Sequence, residues 1–171
     1  SNVGTSFAPV KFTVGTKVTQ RIPIVTGYQE LSFNLRDNAS TSTLSLNAIK
    51  KLPQNSQIVD ILDPTKSTSL GSNGLFTGTL KAIDINRAYL INCAASHDQI
   101  AYLEVSGTPV DINTNIAIKG GKITNAIPFY PNDLQRTSYA LRSFTSTKVS
   151  EGDRIERRGL FAEYSITNGW R

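Results

Sequence analysis

Short stretches of this chain recur at an almost constant spacing, and that recurrence constrains its fold more than any other feature. Val14-Gly15-Thr16-Lys17-Val18 resembles Ser106-Gly107-Thr108-Pro109-Val110, and Leu31-Ser32-Phe33 resembles Ile127-Pro128-Phe129. Ala48-Ile49 with Leu52 resembles Ala140-Leu141 with Phe144, and Gly74-Leu75-Phe76 resembles Asn168-Gly169-Trp170. The offsets are 92, 96, 92 and 94 residues. A unit duplicated in this way predicts a pseudo-symmetric body that presents surfaces rather than one asymmetric pocket. The expected organisation is an N-terminal arm over 1–13, a first β-unit over 14–105 and a second over 106–171. The second copy lacks a counterpart of Gly78 to Val105, so its closing strands are expected from residues 1–13, from another subunit or from further chain.

The periodicity is that of strands and turns. Val18 to Ile24 alternates loosely, and Pro23, which has no N–H to donate, places that strand at an edge or an end. Leu31, Phe33 and Leu35 alternate with Ser32 and Asn34, the pattern of a half-buried strand. Further strands are expected at Gln57 to Leu62, Leu75 to Ile83, Ala88 to Cys93 and Ile100 to Val105. In the second copy they are expected at Ile116 to Ile118, Ile123 to Phe129, Asp153 to Glu156 and Phe161 to Ser165. Lys66 to Gly74, rich in Ser, Thr and Gly, is expected to be a loop, and Gly107-Thr108-Pro109 a junction between copies. Leu46, Ile49 and Leu52 recur every three residues, with Thr43 or Ser45 as a cap and Pro53 as a stop, which predicts a short helix. Ala140, Leu141 and Phe144 predict its equivalent. The fold class is therefore mainly β: two pseudo-symmetric sheet units, each with one short α-helix.

Composition narrows the function. Ser, Thr and Asn supply 48 of 171 residues and charged residues only 18%, a balance suited to β-rich surfaces and turns. No apolar run approaches the roughly 20 residues of a membrane-spanning helix. The net charge of +5 is spread along the chain. Its densest cluster, Arg154, Arg157 and Arg158, is interleaved with Glu151, Asp153 and Glu156, which reads as a solvated face with local ion pairs and disfavours nucleic acid as a partner. The single cysteine, Cys93, forms no internal disulfide and reads as a small buried apolar residue. Ser1 opens a chain without methionine, which predicts a processed N-terminus. Asn38-Ala39-Ser40 is a glycosylation sequon.

Catalytic chemistry finds little to use. His97 is the only histidine, and its neighbour Asp98 would point to the opposite face of a strand. There is no nucleophile elbow and no set of zinc ligands. Asp60, Asp63 and Asp84 lack calcium-loop spacing and read as turn formers. Leu70-Gly71-Ser72-Asn73-Gly74 lacks the Lys-Ser/Thr of a phosphate loop and reads as a hairpin tip. Neither an enzyme nor a cofactor is expected. The remaining candidates for an interaction surface are Tyr28, Tyr130, Tyr164 and Trp170, as stacking platforms or as core, together with the three arginines.

Several motifs, taken in order, resemble a known family. They are Val105 to Asp111, Gly121, Ala140-Leu141, Gly152-Asp153-Arg154-Ile155, Phe161-Ala162-Glu163-Tyr164 and Asn168-Gly169-Trp170, with Gly27 to Asn34, Gly78-Thr79-Leu80 and Tyr89-Leu90-Ile91 in the first copy. Together they resemble a tandem β-repeat of secreted and cell-surface proteins of marine bacteria and of some algal proteins. A fainter similarity is to algal proteins that form the pyrenoid shell. The family's paired tryptophans are replaced here by Tyr28 and Glu30. The resemblance implies a non-catalytic module that self-associates into a coat, sheet, shell or surface layer, at the cell surface or in an algal plastid compartment. An extracellular adhesin that binds glycans, and a small viral capsid protein, are the alternative expectations.

Overall fold

The computed structural model describes residues 16–95, 101–111, 113–119, 125, 149–157 and 160–171. The chain divides into two compact units, Ser1–Tyr130 and Pro131–Arg171. The residue pair 105/106, where the repeat frame changes copies, lies inside an unbroken strand of the first unit.

The described residues are mainly β. In the first unit they form β1 (Val18–Ile24), β2 (Gly27–Ser32), β3 (Leu35–Arg36), β4 (Thr43–Ser45), β5 (Ile49–Lys50) and β6 (Gln57–Asp60). These are followed by β7 (Ser67–Leu70), β8 (Phe76–Gly78), β9 (Ala82–Asp84), β10 (Ala88–Cys93) and β11 (Ala101–Pro109). The second unit holds β12 (Arg154–Arg157), β13 (Leu160–Ser165) and β14 (Gly169–Trp170). Every pairing is antiparallel.

Two larger sheets and the two-stranded β4-β9 ladder build the first unit. β11 carries β1 along one edge and β5 and β3 along the other. The second sheet runs β2-β10-β6-β7-β8. Alternation decides which side chains go inward. On β10, Tyr89, Ile91 and Cys93 are buried while Ala88, Leu90 and Asn92 are half-buried. Leu103 and Val105 from the first sheet join Ile58, Tyr89 and Ile91 from the second in one core, where the rings of Phe33 and Tyr89 meet edge to face at 5.9 Å. Pro23 sits opposite Tyr102 on β1, whose only ladder partner among the described residues is β11. Cys93 is buried in the same core.

Besides the strand expected over Leu75 to Ile83, which is divided between β8 and β9 in different sheets, three expectations are corrected. The helix expected over Leu44 to Leu52 is a single 3-10 turn, Leu46–Ala48, set between β4 and β5. Leu44 and Leu46 alternate as a strand does. Ser45 caps the turn by accepting the Asn47 amide at 3.3 Å, and Lys51 at φ 61 breaks any helical continuation. A three-residue recurrence fits a 3-10 turn as well as an α-helix, and the β-branched Ile49 favours the extended state. Second, Ser67–Leu70 is strand rather than loop, because Thr68 turns inward and is buried. Third, β11 runs on past Val105, where the strand was expected to end, through Gly107-Thr108-Pro109. Residues 114–119, which include the strand expected at Ile116 to Ile118, have no regular structure. His97, the strand expected at Ile123 to Phe129 apart from Asn125, and the second expected helix lie outside the described residues. No described helix is long and apolar enough to cross a membrane.

The core should answer to truncation in proportion to burial. Ile91→Ala is expected to lower unfolding free energy by about 2–5 kcal/mol in urea. Ile118→Ala, at a position 42% exposed, should stay within about 0.5 kcal/mol of the parent.

Candidate functional site

The β6-β7-β8 meander and the β4–β5 segment together frame a surface groove. At its tip, Gly71 donates to the Leu75 carbonyl at 3.0 Å, Gly74 donates to Gly71, and Asn73 Oδ1 accepts the Leu75 amide at 3.0 Å. This is the hairpin tip read from Leu70 to Gly74. Leu75 therefore turns its carbonyl toward β7. Leu80 donates to the Ser67 carbonyl at 2.9 Å, so Ser67 faces β8, while Leu70 donates to Ser56 on the other side.

An antiparallel strand alternates the edge to which its polar groups point. With Thr77 opposite Ser69, the N–H and C=O of Thr77 face β7, and those of Phe76 and Gly78 face outward. β8 has β7 as its only ladder partner among the described residues. Its approach to β7 is close enough to require glycine at one point. A Cβ on Gly78 would stand 2.2 Å from the Ser67 carbonyl oxygen and 2.7 Å from Thr68 Cα.

Two adjoining depressions flank this outward edge and share Asn47 and Phe76. Their apolar lining includes Ile49, Leu52, Leu70 and Leu75; their charged lining is Lys50, Lys51 and Lys81, with no carboxylate among the lining residues. Leu75 is 61% exposed. Lys81 Nζ donates to the Gly78 carbonyl at 2.6 Å, and Lys51 reaches Glu104 at 2.7 Å. The bottom of the first unit's polar framework lies one strand further in. Asp60 is almost wholly buried, and its Oδ1 accepts from the Leu62 amide at 2.9 Å and from Arg87 Nη2 at 2.7 Å. Arg87 Nε closes the second arm of the pair on Oδ2. The charge-assisted hydrogen bond to Asp60 raises the Arg87 guanidinium above its already high pKa. Nearby, Asp84 donates its amide to the Tyr89 hydroxyl at 2.7 Å. Burial pushes the Tyr89 phenol up to about 12, against the pull of that hydrogen bond.

The candidates read from the sequence fall elsewhere. Tyr28 on β2 is 64% exposed. Tyr164 is buried and packs edge to face on the half-buried Trp170 at 5.5 Å, opposite it in register, so Tyr164 offers no open face. Arg154 lies 4.0 Å over the Phe161 ring and pairs with Glu156 at 3.3 Å, a local charged face. Arg157 stands opposite Leu160 at the end of β12. Thus Arg154, Arg157, Tyr164 and Trp170 share the second unit's three-stranded sheet, and Tyr28 belongs to the first unit. Tyr130 and Arg158 lie outside the described residues. Asn38 of the sequon is exposed on a turn, where its Oδ1 accepts the Ser40 amide at 3.0 Å. Among the described residues no three His, Cys, Asp or Glu side chains gather as a metal cluster. No family model, curated protein or solved structure matches the chain.

Sequence reading did not find the lysine-lined groove. Lys50 and Lys51 are adjacent, but Lys81 is thirty residues away and is brought to them only by the fold. The Asp60–Arg87 pair was equally hidden, although Asp60 at a two-residue interval from the apolar Ile58 signals an inward carboxylate in need of a partner.

Arg87→Met should cost about 3 kcal/mol in chemical unfolding, the low end for breaking a buried pair, because the Arg87 side chain keeps 30% exposure. The Tyr89 phenol sets an alkaline limit. Its folded pKa lies above the unfolded value of 10.0, so its contribution is complete below pH 10 and is lost as pH rises toward about 12. Melting temperatures across that window should fall more steeply for the parent than for Tyr89→Phe; parallel curves would contradict the assignment.

Proposed function

We propose that this chain is a non-catalytic structural module that assembles with neighbouring chains, other copies of itself foremost, by strand addition at an exposed sheet edge. The observation that carries the reading is the outward-facing N–H and C=O of Phe76 and Gly78 beside a groove of mixed apolar and lysine lining. Such an edge is a template for a further strand, and the groove supplies pockets for alternate side chains of the incoming segment. The resemblance of the motif order to a tandem β-repeat of secreted and cell-surface proteins points the same way. A two-fold β8-to-β8 contact would set Lys50, Lys51 and Lys81 against their own copies, so the association is head to tail, the geometry that extends into rows and sheets.

We infer also that the molecule repeats itself in the sense the spacing suggests, with β12-β13-β14 as a second version of β6-β7-β8. Shared backbone bonds support this. Asn55 donates to Leu70 at 2.7 Å and Leu70 to Ser56 at 3.0 Å; Gly152 donates to Tyr164 at 3.0 Å and Tyr164 to Asp153 at 2.8 Å. Leu70 stands opposite Phe76, and Tyr164 opposite Trp170. Left-handed residues open both meanders, Asn55 at φ 64 and Gly152 at φ 82, and stand at the approach to both final strands, Gly74 at φ 75 before β8 and Gly169 at φ 70 as the first residue of β14.

Sedimentation of the purified chain over a concentration series tests the assembly. Larger species should grow with concentration. Phe76→Pro removes an outward donor and no ladder bond, a change edge strands tolerate, and should shift the distribution to monomer with circular dichroism retained. A parent that stays monomeric up to about 1 mM, where even a weak contact of about 4 kcal/mol is half occupied, overturns the reading.

A further inference from the structure

We infer that the groove beside β8 selects an extended segment with acidic side chains at alternate positions. This rests on strand addition at β8, as proposed above, and not on which chain supplies the strand.

The charge around the edge is one-sided. Lys50, Lys51 and Lys81 line the two depressions, and the remaining lining residues are uncharged. Two of the three ammonium groups have local acceptors, a neutral carbonyl for Lys81 and a shared carboxylate for Lys51. Lys81 rests on the Gly78 carbonyl, one of the groups an added strand would use. Lys51 shares the Glu104 carboxylate with Arg21, which stands 3.8 Å from it, and Lys51 remains 61% exposed. No ion pair among the described residues involves Lys50, which is exposed. An incoming amide that takes the Gly78 carbonyl releases Lys81, and a carboxylate on the incoming strand gives that ammonium a better partner. The same lysines act against strands that carry positive charge. Lysine on an exposed edge is a known guard against indiscriminate pairing. The apolar side chains of Phe76, Leu75 and Ile49 fit the other half of the alternation, since successive residues of a strand face opposite ways. The expected ligand therefore alternates carboxylate and aliphatic side chains and pairs through its own backbone.

A capped, fluorescein-labelled peptide of six residues alternating glutamate and valine, titrated with the full chain and read by anisotropy, tests this. It should bind roughly tenfold more tightly than its glutamine-valine counterpart at low salt, which is what two or three exposed ion pairs supply together. The margin should shrink in about 0.5 M sodium chloride, where screening acts over a few ångströms. The Lys50→Gln, Lys81→Gln double variant should lose most of it while keeping the parent's melting temperature within a few degrees. A glutamate peptide N-methylated at alternate residues should not bind. If glutamate and glutamine peptides bind equally and N-methylation abolishes both, strand addition stands and the acidic preference falls. If N-methylation changes nothing, the attraction is charge alone and strand addition at β8 falls with it. Absence of binding by either peptide at about 1 mM overturns both.

Discussion

An antiparallel strand sends its backbone N–H and C=O groups alternately to its two edges, so a strand with one neighbour leaves every second residue unpaired. That constraint orders the first unit. β11 is paired along both edges, by β1 on one and by β5 and β3 on the other. β10 is held between β2 and β6, and β7 between β6 and β8. The strands paired on both edges carry much of the shared core, including Tyr89, Ile91, Leu103 and Val105. At β8 the ladder ends among the described residues, and Lys81 Nζ donates to the outward Gly78 carbonyl. The groove and its charge follow from that ending.

The polar interior supports the same sheet. Asp60 lies on β6, two residues from the buried Ile58, and so faces inward. Its carboxylate is tolerable there because Arg87 and the Leu62 amide satisfy it. That contact ties the end of β6 to the turn before β10, two strands that are also neighbours in register. Gly78 does a comparable job by steric means, since only a residue without Cβ lets β8 come so close to Ser67.

Much of this was legible from periodicity. The strands at Val18–Ile24, Gln57–Asp60, Ala88–Cys93 and Leu160–Ser165 follow the alternation of apolar residues that the sequence displays. Pro23 correctly kept its strand from pairing on both sides among the described residues. The misread segments share a cause. Ser67–Leu70 has turn-forming composition, and its strand state is imposed by ladders to β6 and β8, which are tertiary facts. Leu46 to Leu52 has a three-residue recurrence that local propensity alone cannot divide between helix types. The aromatic candidates illustrate the same limit. Tyr164 and Trp170 were identified as special, yet what distinguishes them is contact with each other across a two-strand register. The lysine groove left no linear trace, because its residues come from β5, the residue after it and the link between β8 and β9.

The most direct test is residue-resolved amide hydrogen exchange across β8. The account predicts that, in dilute protein, the Thr77 amide exchanges slowly while those of Phe76 and Gly78 exchange quickly. On assembly the latter two should slow, with Thr77 unchanged. Phe76 and Gly78 amides as protected as Thr77 in the dilute protein, or still fast in the assembled state, would contradict the claim that this edge receives a strand.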